Sequence, residues 1–309
     1  MNKSVHTSIL LLLPIILFVF GCTEAKKSEA EIKEEKNTRF AKVSIEEGLY
    51  PMMINPCLQF DSLDATADCT FKSVPGLEAM QNLLTGDADA IILARDYTRF
   101  EDSVMKAYKV KPHVRMPIAY DALVFYVNYQ VPIDTLSDTQ IRALLSNKNK
   151  QMKDYFPRLK EEFEFVTNSH LSSELVNINQ LILKNNSLQR KLKMLPNADS
   201  AMNYVKNRKN AIGIGYLSQV IKQPDLKMIR IGYSDSVGRY INPRTVHQAN
   251  IVRKLYPYIV TDYIYIFDES KDAAMRLGRY ISKHGNVQKY LLNWGIAPAF
   301  AKIKLIDEG

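Results

Sequence analysis

Apolar residues recur along the chain with two alternating spacings, one typical of strands and the other of helices. Residues 41–45 alternate apolar and polar side chains, and residues 88–94 form a continuous apolar run, as in a strand that is buried on both faces. Helical spacing appears in residues 76–85 and again in residues 137–145, which begin with a capping box. This alternation predicts an α/β fold with mainly parallel sheets.

The same spacings place the remaining elements. Further strands are expected at residues 69–74, 120–128, 163–166, 211–217, 227–231 and 258–267. Further helices are expected at residues 49–63, 175–182, 199–206, 272–282 and 288–292. Pro56 falls inside the first of these helices, where a proline removes one backbone hydrogen bond.

The N-terminus has the pattern of an export signal. Lys3 precedes an apolar run over residues 9–20, which ends at Gly21 and Cys22. The run is shorter than the roughly 20 residues that span a bilayer, so residues 1–21 are interpreted as a secretory signal. The cysteine after the cut resembles a bacterial lipoprotein signal, with Cys22 as the lipidated first residue. An uncleaved membrane anchor is the alternative, and either one predicts a folded part outside the cytoplasm, in the periplasm or on the outer face of the inner membrane.

A polar segment separates this signal from the folded part. Residues 22–38 carry mixed charges and one large apolar residue, Ile32, so they are expected to form a flexible tether. The formal net charge of the chain is +8, with scattered basic residues. An exported protein without a run of Arg and Lys is not expected to bind nucleic acid, and the charge is interpreted as a solvated surface that mildly favours anions.

Two cysteines follow the tether, Cys57 and Cys69. An oxidising compartment permits a disulfide between them. Two buried free thiols are the alternative, and the sequence leaves both open.

Signals for catalysis are weak. The five histidines stand far apart, and there is no metal-binding spacing, P-loop or nucleophile elbow. Gly213-x-Gly215 lies in an apolar strand and is interpreted as close packing, and the carboxylate pair Glu46-Glu47 is interpreted as solvated. No enzyme activity, metal or cofactor is predicted.

Anion binding has better support. Hydroxyl-rich turns precede helices at residues 73–76 and 167–173, and free N–H groups at a helix start suit a phosphate-like ligand, although plain helix capping is the alternative. Arg95 and Asp96 end a buried strand, where open α/β sheets place ligands. Arginine can grip an oxyanion and aspartate can accept a hydrogen bond from a protonated one; a salt-bridged strand end is the alternative.

Five segments resemble phosphate-binding proteins of ABC importers, within the type II periplasmic binding protein-like family. Residues 86–96 (GDADAIILARD) resemble a strand of that family that ends at the ligand. The other similar segments are residues 121–146, 211–218, 256–266 and 285–298. Their order and spacing from residue 42 to residue 301 are most similar to the phosphate-binding lipoproteins of Bacteroidetes-type bacteria.

The resemblance implies two lobes of mainly parallel sheet with flanking helices, joined by two crossing strands. Lobe I would comprise residues 39–119 and 224–309, and lobe II residues 120–223. An anion would lie between the lobes, held by four loops. The implied ligand-binding residues are Leu49 and Tyr50, Ser73 and Gly76, Arg95 and Asp96, and Asn168, Ser169, Ser172 and Ser173.

Two departures from the family pattern concern the ligand. Leu49 stands where a hydroxyl residue is usual, so that position offers only its backbone N–H. The fourth loop lacks the usual arginine and glycine, and Arg95 is expected to supply the positive charge; His170 is a weaker candidate.

The hypothesis is a monomeric, lipid-anchored protein that captures inorganic phosphate, or a related oxyanion, for an ABC permease in the membrane. Lobe closure would precede delivery, and Asp96 would select a protonated anion over sulfate. The alternative is a non-transport lipoprotein of the same fold that acts as a ligand sensor or envelope scaffold.

Overall fold

The computed structural model describes residue 34, residues 38–184 and residues 186–300. The predicted signal peptide, Cys22 and most of the predicted tether lie outside these residues. Within the described part, no helix combines the length and the apolar character that crossing a membrane requires.

Strands and helices alternate along most of the chain. The strands are β1 (Phe40–Glu46), β2 (Asp68–Val74), β3 (Ala90–Leu93), β4 (Val114–Asn128), β5 (Thr135–Ser137), β6 (Glu164–Thr167), β7 (Lys193–Met194), β8 (Ala211–Tyr216), β9 (Leu226–Met228), β10 (Arg230–Ser234), β11 (Tyr240–Ile241), β12 (Ile259–Ile266) and β13 (Ala297–Pro298). The helices are α1 (Tyr50–Leu63), α2 (Gly76–Thr85), α3 (Arg99–Ala107), α4 (Asp138–Ser146), α5 (Ser173–Asn177), α6 (Ala198–Lys206), α7 (Leu217–Val220), α8 (Gln248–Val252), α9 (Asp272–Lys283) and α10 (Gly285–Trp294).

One sheet runs through the molecule in the order β2-β1-β3-β12-β4-β8-β6-β7. Strands β1, β2 and β3 are parallel to one another and form the β1 half; β6, β7 and β8 are likewise parallel and form the β6 half. The long strands β4 and β12 lie between the halves and pair antiparallel with each other. We call the space between the two halves, at the ends of β1 and β6, the cleft.

This arrangement confirms the predicted fold class, two α/β lobes joined by two crossing strands. The parallel pairing predicted from buried apolar runs holds within each half. The crossing strands add antiparallel pairs, β12 with β3 and β4 with β8, so the complete sheet is mixed. The lobe boundaries at residues 119–120 and 223–224 stay a prediction.

The apolar runs form the centre of each half. All four residues of β3 and all six of β8 are buried, as expected of strands covered on both faces. Gly213 provides close packing: a Cβ at this position would lie 2.1 Å from the ring of Tyr126. The interpretation of Gly213-x-Gly215 as packing therefore fits the geometry.

Helix α1 contains Pro56, as predicted. A proline lacks the N–H that would bond the carbonyl four residues earlier, here that of Met52. The Tyr290 hydroxyl in α10 donates a hydrogen bond to this carbonyl at 3.0 Å. Tertiary contact thus satisfies the acceptor that the proline leaves free, and the helix continues.

Several helical segments differ from the sequence-based expectation, among them the short helices α7 and α8, which were not predicted. Helix α3 was not predicted, because its buried residues are only Glu101 and Met105 and so form no apolar stripe. The helix predicted over residues 175–182 begins at Ser173 and continues after α5 as one turn of π-helix, Ile178–Ile182.

Cys57 and Cys69 are free and buried, so the structure has the thiol alternative rather than the disulfide. Burial raises the pKa of both thiols, that of Cys69 to about 12. They are therefore protonated at neutral pH and pack as small apolar side chains.

Candidate functional site

A buried carboxylate bridges the two halves of the sheet in the cleft. Glu46 ends β1 and is completely buried. Its Oε2 accepts the backbone N–H of Ala94, just after β3, at 3.0 Å. Its Oε1 accepts the backbone N–H of Ser173, the first residue of α5 in the β6 half, also at 3.0 Å. The cleft thus binds an anionic group through amides from both sides.

Helix α2 begins beside this carboxylate at Gly76. A Cβ at Gly76 would lie 2.4 Å from Ser173 Oγ and 2.8 Å from Glu46 Oε1, distances that real Cβ atoms do not reach. The next residue, Leu77, donates its N–H to the carbonyl of Leu171 across the cleft at 2.8 Å. Only glycine fits at position 76 while the cleft is closed.

A second buried carboxylate lies close by, that of Glu174. It accepts hydrogen bonds from Asn168 Nδ2 at 3.0 Å and from Gln219 Nε2 at 2.9 Å. Burial, and then the charge of Glu46, raise the pKa of Glu174 to about 8. Burial also raises the pKa of Glu46, against the effect of the Ala94 N–H. At neutral pH Glu174 is therefore mainly protonated.

Further hydrogen bonds cross the cleft and keep it closed. Asn177 Nδ2 donates to the carbonyl of Ala94 at 2.8 Å. At another edge, Trp294 Nε1 in α10 donates to the carbonyl of Ser218 in α7 at 2.9 Å. These bonds, with those of Glu46 and Leu77, join the β1 half to the β6 half through groups of the chain itself.

A cavity of about 260 Å³ lies at the mouth of the cleft. Its lining includes Glu47 and Gly48 from the β1 half, Gln219 and Lys222 from the β6 half, and Trp294. The Lys222 ammonium lies 3.4 Å from the centre of the Trp294 ring. Within residues 38–184 and 186–300, no group of three or more His, Cys, Asp or Glu side chains is placed to hold a metal ion.

Residues 47–283 match the PBP superfamily domain. The chain belongs to this family. Among curated proteins, none matches the sequence. The resemblance to periplasmic binding proteins noted from the sequence is thereby confirmed, and the match includes β2 and β3, the β6 half and both crossing strands.

Solved structures share the PBP superfamily fold with this chain at low sequence identity. A protein assigned as a phosphate ABC transporter substrate-binding protein from Clostridium perfringens, with bound phosphate, matches with a TM-score of 0.68 and 12% identity over 84% of this chain and 99% of its own. An ABC-type phosphate transport receptor from Vibrio cholerae gives 0.64 and 16% over 83% and 99%. The CcmR regulatory domain from Synechocystis PCC6803, in complex with 2-PG, gives 0.52 and 9% over 80% and 99%.

Arg95 lies near the cleft of this PBP superfamily chain but faces Glu101. Its guanidinium donates to both carboxylate oxygens of Glu101, at 2.8 and 2.7 Å, and both side chains are buried. The Thr98 capping box holds Glu101 in place, with Thr98 N–H donating to Glu101 Oε2 at 2.7 Å. Arg95 therefore forms a salt bridge at the strand end, which was the alternative to oxyanion binding.

Asp96 points to the surface. Its side chain is 54% exposed and forms an ion pair with Arg115. It lies apart from the amides that bind Glu46, so the geometry does not place it to select a protonated anion there.

Only some residues of the first two predicted loops lie in the cleft. The Leu49 N–H already donates to the carbonyl of Glu46 at 2.9 Å, and the Leu49 side chain is buried. Tyr50 begins α1 and is half-buried, whereas Ser73 is exposed at the end of β2. Among the four predicted residues of these loops, Gly76 is the one that lies against the Glu46 carboxylate and Ser173.

The fourth predicted loop contributes most. Asn168 and Ser173 are buried and bond the two carboxylates. Ser172 is buried, and Ser169 Oγ accepts the Leu171 N–H at 3.2 Å as part of the turn. His170 is exposed.

The sequence analysis missed the two carboxylates at the centre of the site. Its interpretation of Glu46 as a solvated residue is wrong, because the end of β1 is covered by α2 and α5. Glu174 was overlooked, as was Gln219. A carboxylate directly after a predicted parallel strand, two residues before a glycine that begins a loop, is the signal that would have pointed to Glu46.

Proposed function

We propose that this chain is an extracytoplasmic, lipid-anchored solute-binding protein that captures phosphate, or a similar oxyanion, in the cleft for an ABC permease. Membership of the PBP superfamily supports a binding role. The likeness of the fold to two phosphate-transport receptors and the lipoprotein-like sequence at Cys22 support the finer assignment. Absence of enzyme activity and a monomeric state stay predictions.

The bonding of Glu46 supports this proposal most directly. Backbone N–H groups of Ala94 and Ser173 converge on one carboxylate from opposite halves of the sheet. Backbone N–H groups donate hydrogen bonds to many kinds of oxyanion, because they carry a partial positive charge and do not titrate near neutral pH. The cleft therefore has donors that suit a phosphate oxygen, and closure of the halves brings them together.

The charges around the cleft favour a singly charged ligand. Arg95 is the nearest cation that affects Glu46, and its guanidinium is bonded to Glu101. Glu174 is neutral at neutral pH, so it adds little repulsion and offers a proton to an anion. We accordingly assign the ligand site to Ala94, Gly76, Asn168 and Ser173, and leave Arg95 and Asp96 outside it.

Calorimetric titration of the soluble chain from Arg39 onward tests this proposal. Phosphate, sulfate and molybdate are compared. Gly76→Ala should abolish phosphate binding, because the added methyl would lie 2.4 Å from Ser173 Oγ and 2.8 Å from the position of Glu46 Oε1, which a phosphate oxygen would take. Gly285→Ala is the matched control, since nothing lies within 4 Å of its added Cβ. Retention of binding in Gly76→Ala would rule out this site.

The closed cleft favours a second candidate, a non-transport lipoprotein that senses a ligand or scaffolds an envelope complex. Groups of the chain itself bridge the two halves, and the Arg95 guanidinium is held by Glu101. The same titration separates the scaffold from the two ligand-binding roles. Heat with phosphate supports transport or sensing of that anion, whereas no heat with any of the three anions favours the scaffold.

A further inference from the structure

The Glu46 carboxylate has the contacts that a bound anion would have. It is buried, bridges the β1 and β6 halves, and accepts one backbone N–H from each. We propose that Glu46 is a tethered occupant of the cleft, which an incoming oxyanion must displace from Ala94 and Ser173. This inference rests on the proposed function for the ligand, and adds which group of the chain holds the two halves together at this site.

Lack of space makes Glu46 and a ligand mutually exclusive. Even one added methyl group at Gly76 would come within 2.8 Å of Glu46 Oε1 and 2.4 Å of Ser173 Oγ. A tetrahedral oxyanion is larger than a methyl group. It can reach the Ser173 N–H only after the Glu46 side chain has left, so the two compete for the same donors.

The surroundings of Glu46 allow an incoming anion to compete with it for the N–H groups of Ala94 and Ser173. Burial opposes the charged form of Glu46. Repulsion between Glu46 and the carboxylate of Glu47, the next residue, opposes it too. Arg95 provides a favourable charge for Glu46, but its guanidinium is shared with Glu101. Glu46 is therefore held mainly by the two amides that it would give up.

The cavity at the cleft mouth supplies a place from which a ligand approaches. Glu47 and Gln219 line it, and Gln219 bonds Glu174 at 2.9 Å. Movement of Gln219 would open a path from this cavity to Glu174, which lies next to Ser173 in sequence.

The experiment uses the full chain in detergent, as wild type, Glu46→Ala and Glu46→Gln. Glu161→Ala is the matched control, because Glu161 is an exposed carboxylate that does not line the cavity at the cleft mouth. Phosphate affinity is measured by calorimetry, and the exchange of the Ala94 and Ser173 amide hydrogens by deuterium exchange and mass spectrometry. Circular dichroism confirms that each variant is folded.

We expect Glu46→Ala to bind phosphate at least about tenfold more tightly than wild type, because the donors no longer have to be released from a charge-assisted bond. Without phosphate, the Ser173 amide should exchange faster in Glu46→Ala than in wild type, and added phosphate should protect it. Glu46→Gln should fall between the two, and Glu161→Ala should match wild type.

Three results would overturn the inference. Equal phosphate affinity in wild type and Glu46→Ala would show that Glu46 does not compete. Loss of binding in Glu46→Ala alone would make Glu46 a ligand contact and would leave the proposed function intact. If neither protein binds phosphate, the proposed function fails, and deuterium exchange decides on Glu46 separately: unchanged protection of Ser173 in Glu46→Ala would exclude the tethered occupant, whereas faster exchange would support it without a phosphate ligand.

Discussion

Glu46 accepts the backbone N–H of Ser173 at 3.0 Å, although the two residues are 127 positions apart in the chain. This bond joins the end of β1 to the start of α5 and closes the cleft of a PBP superfamily protein with one of its own carboxylates. The predictions below concern this site and the contacts that support it.

Stability should fall as the pH rises from about 5 to 8. Glu174 has a pKa of about 8 in the folded chain against 4.5 as its usual value, so the folded state binds more protons than the unfolded state in this range. The free energy of unfolding then decreases by up to about 1.4 kcal/mol per pH unit for one such group. The raised pKa values of Asp121, about 6, and Asp262 act in the same direction.

Urea unfolding at pH 5, 6.5 and 8 measures this dependence. Glu174→Gln should reduce the loss of stability between pH 5 and pH 8, because the amide does not titrate. Glu161→Gln, at an exposed position, is the control and should leave the dependence unchanged. Rising stability from pH 5 to pH 8 in wild type would contradict the protonated state of Glu174.

Removal of Glu101 should destabilise the chain strongly. Glu101→Ala leaves the buried Arg95 guanidinium without its carboxylate, and breaking a buried pair on one side typically costs about 3–5 kcal/mol. Arg115→Ala removes the exposed partner of Asp96 and should cost about 1 kcal/mol or less. Chemical denaturation of both variants gives the comparison, and similar losses would mean that the Arg95 pair is as solvated as the exposed one.

Gly76→Ala should destabilise the closed chain by about 1–3 kcal/mol, because its methyl group overlaps Ser173 Oγ and the Glu46 carboxylate. Thermal unfolding measures the loss against Gly285→Ala. Combining Gly76→Ala with Glu46→Ala should recover part of the loss, since one of the two clashing groups is then absent. An additive double variant would show that Gly76 and Glu46 do not contact each other.

Tyr290→Phe should lower the free energy of unfolding by about 1 kcal/mol, because the carbonyl of Met52 loses the hydroxyl that replaces its helical partner. Tyr108→Phe is the control at a position that is 78% exposed. A loss no greater than that of the control would indicate that water satisfies Met52 equally well.

The elements that the sequence predicted well are those with a local signal. Strands β3 and β8 were identifiable because continuous apolar runs require burial on both faces, and α4 because Ser137 and Gln140 form a capping box, which the structure contains. Helix α3 has no apolar stripe, and its buried Glu101 binds Arg95 instead. Its position depends on a side-chain contact that no local pattern encodes.

The candidate site was predictable only in part for the same reason. Gly76, Asn168 and Ser173 were expected to bind the ligand because the family resemblance implied it, and they lie in turns before helices whose N–H groups suit an anion. The pairing of Arg95 with Glu101, and the burial of Glu46, depend on which elements cover the ends of β1 and β3. The charge of an arginine in the sequence does not show whether it binds a ligand or forms an ion pair within the protein.

The sequence by itself determined the α/β class, the order of most strands and helices and the family resemblance, because hydrophobic periodicity and capping act between residues close in the chain. Only the tertiary structure decided what occupies the cleft. Residues of β1, β3 and α5 meet there from distant parts of the chain, and burial changes the protonation of Glu174 and makes two amides the partners of Glu46. Such contacts follow from the closing of the two halves on each other, since no local spacing brings these groups within bonding distance.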